Sequence, residues 1–425
     1  MHLFFLKKNL FFIEIPYLLL LLFPFSLITG PFIPDLIVTL LSLTFIIYCF
    51  TFRDYSYFNN IFFKLFVLFA LFLWVITIFN IENYKVYENY FNLKTPLFYF
   101  RFGFFSLAIW FLIEKKKFIF LHLYWCFFII FSVLVFDGFF QFFFKENLIG
   151  LIKPGSRLSS FFGDELILGS YLSRMFPVFL FLTIFINEKK KIYITLFTLI
   201  LVEVLVFISG ERSAFFYINL STLFFIILVK SFKKLKIIIF SLSILIIILI
   251  SVFNQSVSNR MIKEPLNSFG FVNSERIYVF SKLHETYYKT ALNIFKDNPI
   301  KGVGVRNYRN FCSDKKYRVS DLSCSTHPHN TYMELLSETG ILGFLFIFLI
   351  FMILVYYSFK HFLLKFKGKF FFTDSQIALL SSVFINLWPL IPTGSFFNNW
   401  LNCLYYFPLG ILLWSLLNNS TISKN

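Results

Sequence analysis

The feature that most constrains this chain is a succession of apolar runs, each long enough to cross the hydrocarbon core of a bilayer. Along the 425 residues these runs predict twelve membrane-spanning helices. Because 58% of the residues are hydrophobic and only 14% are charged, no water-soluble core could bury so much apolar surface. The spans are predicted at residues 10–30, 33–52, 59–80, 96–113, 118–138, 166–186, 192–209, 213–229, 237–253, 332–357, 376–394 and 397–417. The sequence therefore predicts an all-α polytopic membrane protein whose residues 1–425 form a single integral membrane domain.

Lysine clusters orient these spans. If the N-terminus is cytoplasmic and successive spans cross in opposite directions, every lysine cluster between spans lies on the cytoplasmic side. This is the arrangement that the positive-inside rule requires. These clusters are Lys115 to Lys117, Lys189 to Lys191, Lys230 with Lys233, Lys234 and Lys236, and Lys360 with Lys365, Lys367 and Lys369. We therefore predict a multi-pass protein of the bacterial inner membrane with both termini cytoplasmic. Since short loops account for the net charge of +17, nucleic acid is not an expected partner.

The opposite, periplasmic face is rich in arginine. It comprises connections at about 81–95 and 139–165, the Gly210-Glu211-Arg212 turn and a long loop at 254–331. Guanidinium groups bind phosphate or carboxylate bidentately, so the arginines on this face predict that it binds an anionic ligand. The alternative is that individual arginines pair with acids such as Glu264, Glu275 and Asp314. Of the ten arginines only Arg53 falls on a cytoplasmic loop, while seven fall outside: Arg157, Arg212, Arg260, Arg276, Arg306, Arg309 and Arg318.

Two histidines stand just before the tenth span, in the segment CSTHPHNTYMELLSETG. His327 and His329 flank Pro328 and have no third ligand at a familiar spacing, so no metal site is predicted. A neutral imidazole at the membrane surface suits a general base, because its ordinary pKa lies near neutral pH. The alternative is a structural role, in which His329 caps the following helix or bonds a loop carbonyl.

This segment resembles the motif of the O-antigen ligase and polymerase superfamily. In that motif a loop His is followed by Asn, Tyr, Glu and Gly, which correspond here to His329, Asn330, Tyr332, Glu338 and Gly340.

Three further segments follow the order of the same family. SRLSSFFGDELILGSYL carries Arg157, and SGERSAFFYI carries Arg212 at the start of a span. ALNIFKDNPIKGVGVRNY, with Arg276 ahead of it, has a short helix, a proline and a turn formed by Gly302 and Gly304. The resemblance extends over about residues 155–345.

The resemblance implies the fold of multi-spanning, GT-C-like glycosyltransferases and the transfer of an undecaprenyl-diphosphate-linked glycan to lipid A core. No cofactor, nucleotide sugar or obligatory metal is implied. Arg212, Arg276 and Arg157 would bind the diphosphate, and His329 would act as the catalytic base. Asn330, Tyr332, Glu338, Gly302 and Gly304 would support them.

Two other functions stay open at this point. An O-antigen polymerase would use the same donor with a second carrier-linked glycan as acceptor. A transporter or flippase would concentrate ionisable residues inside the spans, where this chain has few, namely Arg101, Arg174 and Glu203.

Cys312 and Cys324 both fall in the long outer loop, whereas Cys49, Cys126 and Cys403 fall in predicted spans. In an oxidising periplasm the outer pair is predicted to form a disulfide that restrains the loop carrying His329. The alternative is two free thiols.

Overall fold

The structure is a computed structural model, described for residues 10–87, 90–268 and 278–417. Within these ranges no β-strand forms, and the only extended pairing is an isolated bridge between Glu146 and Ile152. The main helices are α1 (Ile15–Ser26), α2 (Phe32–Phe52), α3 (Ile61–Phe79), α4 (Arg101–Lys115), α5 (Ile119–Phe144), α6 (Leu168–Ile186), α7 (Lys189–Ile208), α8 (Arg212–Leu228), α9 (Lys233–Phe253), α10 (Lys282–Asp297), α11 (Thr331–Phe366), α12 (Asp374–Asn386) and α13 (Asn399–Leu417).

Every predicted span contains one of these helices, and α10 is the one main helix that belongs to the long loop. Nine described helices are long and apolar enough to cross a membrane, and Leu10–Ser26 and Arg212–Leu228 are shorter apolar helices. The prediction of an all-α polytopic membrane protein is therefore confirmed.

Three predicted span ends were wrong, and the smallest error is in the fifth span, whose helix continues from residue 138 to Phe144. The predicted span 376–394 is a helix only as far as Asn386, because Pro389 and Pro392 cannot continue it. Conversely, α11 continues past the predicted end at residue 357 to Phe366. The non-helical segment 387–398 that results lies between α12 and α13 and contributes to the site described below.

Two helices lie at the centre of the molecule. α4 packs against α2 and α13, and α6 packs against α5, α7, α8 and α12. In contrast, α9 lies at the edge of the bundle: 17% of its apolar stretch is buried inside the protein, whereas 78% of that of α6 is buried. Its exposed side chains, such as Ile238, Leu245 and Val252, are suited to contact with lipid tails.

The lysine-rich connections meet at one end of the bundle. The Nζ of Lys365, on α11, donates to the carbonyl of Ile227 near the end of α8. The carboxylate of Asp374 accepts hydrogen bonds from the backbone N–H groups of Lys230 and Ser231, both at 2.9 Å. The connections that follow α8 and α11 therefore share one face.

The remaining connections meet at the other end. Asn83 donates to the carbonyl of Val303 at 3.0 Å, and the Tyr84 hydroxyl donates to that of Val305 at 2.9 Å. The side chain of Asn330 donates to the carbonyl of Pro389 at 2.7 Å. Three segments that are far apart in sequence thus form one polar layer, and this layer contains the predicted site.

Candidate functional site

His329 is held between the start of α11 and the segment 387–398. Its backbone has a φ of +55°, in the left-handed region. Its carbonyl accepts a hydrogen bond from the Thr393 N–H at 2.9 Å. Asn330, the next residue, caps α11 by accepting from the Tyr332 N–H at 3.0 Å, while Tyr332 donates its hydroxyl to the carbonyl of Leu387. Helix capping is therefore done by Asn330, and the imidazole of His329 is left for other contacts.

Three of the six histidines come together around this ring. The ring centroid of His327 lies 4.1 Å from that of His329, and the centroid of His284 lies 5.7 Å from it. Tyr287 stacks on His329 with centroids 5.4 Å apart, and the Nε2 of His329 is 3.0 Å from the Ser325 hydroxyl. His284 and Tyr287, both on α10, were missed by the sequence analysis. The signal available was the rarity of histidine, since His284 is one of six in the chain.

Burial keeps these imidazoles neutral. It lowers the pKa of His329 below its ordinary value. Burial is also the main cause that lowers the pKa of His284 to about 4. Electrostatic interactions with His329 and Arg212 add to this shift. The pKa of His327 falls to about 3, again mainly through burial. A neutral imidazole can accept a proton, so the cluster has the charge state that a general base requires.

An arginine cluster surrounds the turn that begins α8; we define it as Arg157, Arg212 and Arg260. The Gly210 carbonyl accepts from the Nε of Arg260 at 2.9 Å, and the Arg260 carbonyl accepts from the Nε of Arg212 at 2.9 Å. Gly210 has a φ of +76°, and a Cβ there would lie 2.8 Å from the Nε of Arg260. Glycine at this position therefore permits the close approach of the guanidinium groups.

Arg212 also forms an ion pair with Glu264. This is the pairing with a loop acid that the sequence analysis left open. The side chain of Arg212 is 37% exposed and that of Glu264 is 56% exposed, so the pair is accessible to an anionic ligand that could replace the carboxylate.

Glu211 lies buried beneath the arginine cluster. Its carboxylate accepts from the N–H groups of Gly169 at 2.6 Å and Ser170 at 3.1 Å, at the start of α6. Burial raises the pKa of Glu211 to about 7, although Arg157 opposes the shift. The Nε of Arg157 is buried and has no hydrogen-bond partner among the described residues. Glu211 thus anchors the turn from below, while Arg157 retains a donor that a ligand could use.

Arg174, on α6, was predicted only as an intramembrane charge. Its guanidinium donates to the Thr393 hydroxyl at 3.0 Å and to the side chain of Asn386, and it lies 4.4 Å from the ring centroid of Tyr217. Since Thr393 also donates its N–H to the His329 carbonyl, Arg174 supports the backbone beneath the histidine. The contact joins residues 219 positions apart, and no local sequence signal reports it.

Glu338 joins α11 to the Gly-x-Gly turn. Its carboxylate accepts from the backbone N–H groups of Arg306 and Tyr308, and its carbonyl accepts from the Gly304 N–H at 2.9 Å. A Cβ on Gly302, where φ is +59°, would lie 2.3 Å from the carbonyl carbon of Glu338. The contacts of Glu338, Gly302 and Gly304 are thus structural ones that fix the loop against the helix.

A break in α11 makes room for this loop. Gly340 has φ +69° and ψ −168°, and the helix continues on both sides of it. The N–H of Ile341 donates to the Pro299 carbonyl at 2.8 Å, so the break satisfies a loop carbonyl. The first part of α11 therefore supports the site, and the second part continues as a span.

Cys312 and Cys324 are joined in a disulfide, with Cα atoms 5.0 Å apart. Cys312 is buried together with Ala291 and Ile294 of α10 and with Tyr308. The disulfide therefore ties the segment 312–324, just before the histidines, to the helix that carries His284.

Two predicted features need separate mention. Arg276 lies outside the described residues, as does Glu275. A group of three or more His, Cys, Asp or Glu side chains that could hold a metal ion does not occur within 10–87, 90–268 and 278–417.

Comparison with known proteins bears on the same region. The family model described as O-antigen ligase matches residues 194–348, which include Arg212, Arg276 and His329 but not Arg157. No curated protein matched the chain. The family match confirms the resemblance predicted from the motifs, because residues 194–348 are similar to the family described as O-antigen ligase.

Proposed function

We propose that the protein is a glycosyltransferase that moves an undecaprenyl-diphosphate-linked glycan onto lipid A core at the periplasmic face of the inner membrane. One observation carries the proposal. A neutral His329 lies 5.7 Å, ring to ring, from His284, and His284 lies within the electrostatic reach of Arg212. The protein thereby offers a base and, within electrostatic reach of the neighbouring histidine, a group of cations, which is the combination that the reaction needs.

In the proposed step the acceptor hydroxyl attacks the anomeric carbon of the donor glycan. The new bond joins the acceptor oxygen to that carbon, and the bond from the carbon to the diphosphate oxygen breaks with its electron pair. The acceptor proton passes to His329. Arg212 and Arg157, with Arg276 as a further predicted ligand, would stabilise the charge that develops on the diphosphate.

The charges within the described spans support catalysis over transport. Arg101 pairs with Asp35 at 2.6 Å, and Glu203 accepts from the Thr222 hydroxyl at 2.7 Å. Arg174 is engaged by Asn386 and Thr393. Charges held in this way serve packing and support of the site, and they do not form a relay across the bundle.

The test is transfer by purified protein from a synthetic undecaprenyl-diphosphate glycan, offered lipid A core or a second carrier-linked glycan as acceptor. His329→Ala should lower the transfer rate by ~10²–10⁴-fold, because a positioned base contributes about that factor. Its donor affinity should stay near that of the unmodified protein. His327→Ala is the matched control and should retain transfer.

Three results would contradict the proposal. Near-full transfer by His329→Ala, or inactivity confined to His327→Ala, would mean that the base is wrongly assigned. Transfer to the carrier-linked glycan alone would identify the enzyme as a polymerase.

A further inference from the structure

A second pair of arginines lies in the connection between α10 and α11 and is distinct from the arginine cluster. Arg306 and Arg309 belong to the segment that Glu338 fixes against α11. The Arg306 guanidinium donates to the Thr95 hydroxyl at 3.1 Å, and its carbonyl accepts from Asn92 at 3.2 Å. Both contacts come from the connection before α4, whereas Arg212 contacts Arg260 and Glu264, so Arg306 and Arg212 are held by different segments.

The Arg306–Arg309 pair retains unused hydrogen-bond donors. The Nε atoms of Arg306 and Arg309 are buried without a hydrogen-bond partner in the described parts of the chain. Two such guanidinium groups in one short segment are unusual, because buried polar groups are normally paired. A ligand that accepts hydrogen bonds would pair them.

The acids nearby do not take up this capacity. Glu338 is engaged by the backbone N–H groups of Arg306 and Tyr308. Glu334 accepts from the Ser395 hydroxyl at 2.6 Å and from the Phe396 N–H at 2.7 Å. Within the described ranges, neither Arg306 nor Arg309 has a carboxylate within ion-pair distance. Their guanidinium groups can therefore receive an external anion.

The two arginine groups act on different histidines. His327 has its pKa lowered by burial first, and then by charges that include Arg309 and Arg306. Among the arginines it is Arg212 that contributes to the shift at His284. His284 and His327 both contact His329. His329 therefore contacts one histidine under the electrostatic influence of each arginine group.

We infer that Arg306 and Arg309 bind an anionic group of the acceptor, a phosphate or a carboxylate, while the donor diphosphate occupies the arginine cluster. The inference rests on the proposed function, since it assigns the second substrate of the same reaction. A flexible glycan presents many hydroxyls, and one of them must be held at His329. A charged group bound at a fixed site would select that hydroxyl, because guanidinium groups bind oxyanions with defined geometry.

The test compares Arg306→Gln and Arg309→Gln with Arg318→Gln. Arg318 is a matched control from the same loop, since it is 44% exposed and pairs with Asp321 at 3.5 Å. Each of the first two variants should raise the KM for phosphorylated lipid A core by about 10-fold or more, because a charge-assisted hydrogen bond is lost. The KM for the donor should stay within about twofold in all three variants, a criterion set by the expected separation of the two sites.

A second arm removes the anion from the acceptor. Chemically dephosphorylated core should be a poor acceptor for the unmodified protein, and Arg309→Gln should then cause no further loss. The same comparison with an undecaprenyl-diphosphate-linked acceptor distinguishes a carrier diphosphate from a core phosphate as the bound anion. If Arg306→Gln fails to fold because its contact with Thr95 is lost, Arg309→Gln alone still tests the inference.

Three outcomes would overturn the inference. One is a loss of donor affinity equal to the loss of acceptor affinity. Another is an equal effect of Arg318→Gln, and the third is a full Arg309→Gln penalty on the anion-free acceptor. Binding of the phosphorylated core is also measured without donor. If the protein fails to turn over any lipid-linked donor, the proposed function fails, whereas binding that depends on Arg309 would still support the acceptor site.

Discussion

At the scale of single residues, burial has a specific chemical effect on the site. Exposed imidazoles would be partly protonated near neutral pH, whereas desolvation lowers the pKa of His329, His327 and His284. Arg212 remains accessible, and its partner is a loop carboxylate. The site thus combines a neutral imidazole with a cation whose carboxylate partner could be replaced by a ligand, and each property can be tested separately.

The first test is the pH profile of transfer. A base must be unprotonated to act, and a lowered pKa keeps His329 unprotonated at more acidic pH than an ordinary imidazole, whose pKa is about 6.5. We expect kcat to stay level from alkaline pH down to about 6.5 and to fall only below it. Burial raises the pKa of Glu211 to about 7, so Glu211→Gln is measured in parallel. A midpoint above 6.5 that persists in Glu211→Gln would contradict the prediction.

The second test separates binding by Arg212 from its ion pair with Glu264. Arg212→Lys keeps the positive charge but loses the planar guanidinium group that binds an oxyanion bidentately, so kcat/KM should fall by about 10-fold or more. Glu264→Gln removes the competing carboxylate, and donor affinity should stay the same or increase. If both variants lower activity to the same extent, Arg212 serves only to hold the loop.

At the scale of helices, the break in α11 connects the span to the site. Gly340 adopts a backbone conformation that is essentially restricted to glycine, and a Cβ there would lie 2.2 Å from the Ile300 carbonyl oxygen. The loop that carries Gly302 and Gly304 packs into this break. The position of the Gly-x-Gly turn therefore depends on one residue of a membrane helix.

Gly340→Ala tests this dependence, with Gly368→Ala as its control. Gly368 has a similar φ of +70° but no atom within 4 Å of an added Cβ. We expect Gly340→Ala to cost ~2–3 kcal/mol or more and Gly368→Ala about 1 kcal/mol, since only the first adds a steric overlap to the backbone strain. Thermal unfolding in detergent measures both. Equal melting temperatures would show that the loop moves aside at little cost.

The sequence predicted the helices better than the contacts between them. Apolar length located a helix in every predicted span, although nine of the described helices are long and apolar enough to cross a membrane, and the run from Asn330 to Gly340 located the site loop. The end of α12 at Asn386 was missed because the apolar residues around Pro389 and Pro392 continue the hydrophobic run. The roles of Arg174 and His284 were missed because they depend on tertiary contacts with distant segments.

At the scale of the whole molecule, the bundle has two chemically different ends. Lys365 and Asp374 hold the connections at the lysine-rich end. Asn83, Tyr84 and Asn330 join the connections at the end that contains the histidines. The positive-inside rule predicts that the first end is cytoplasmic.

Cysteine labelling can check this orientation. Lys190, Lys315 and Lys367 are all exposed, and each can be replaced by Cys. A membrane-impermeant maleimide should label Lys315→Cys in intact spheroplasts, and it should label the other two only after lysis. The native Cys49 and Cys403 are buried and give little background, whereas Cys126 is partly exposed and is replaced by Ser in every variant. Labelling of Lys315→Cys only after lysis would place the site in the cytoplasm and contradict the proposed mechanism.

The segment between α12 and α13 has a consequence for protein engineering. Thr393 holds the backbone of His329, and Ser395 and Phe396 hold Glu334, yet all three lie beyond the matched residues 194–348. A chimera that exchanges only the matched region between relatives would transplant the histidines without the scaffold that fixes them. A chimera that transfers specificity should therefore need α12, the segment 387–398 and α13 to be exchanged together with the matched region.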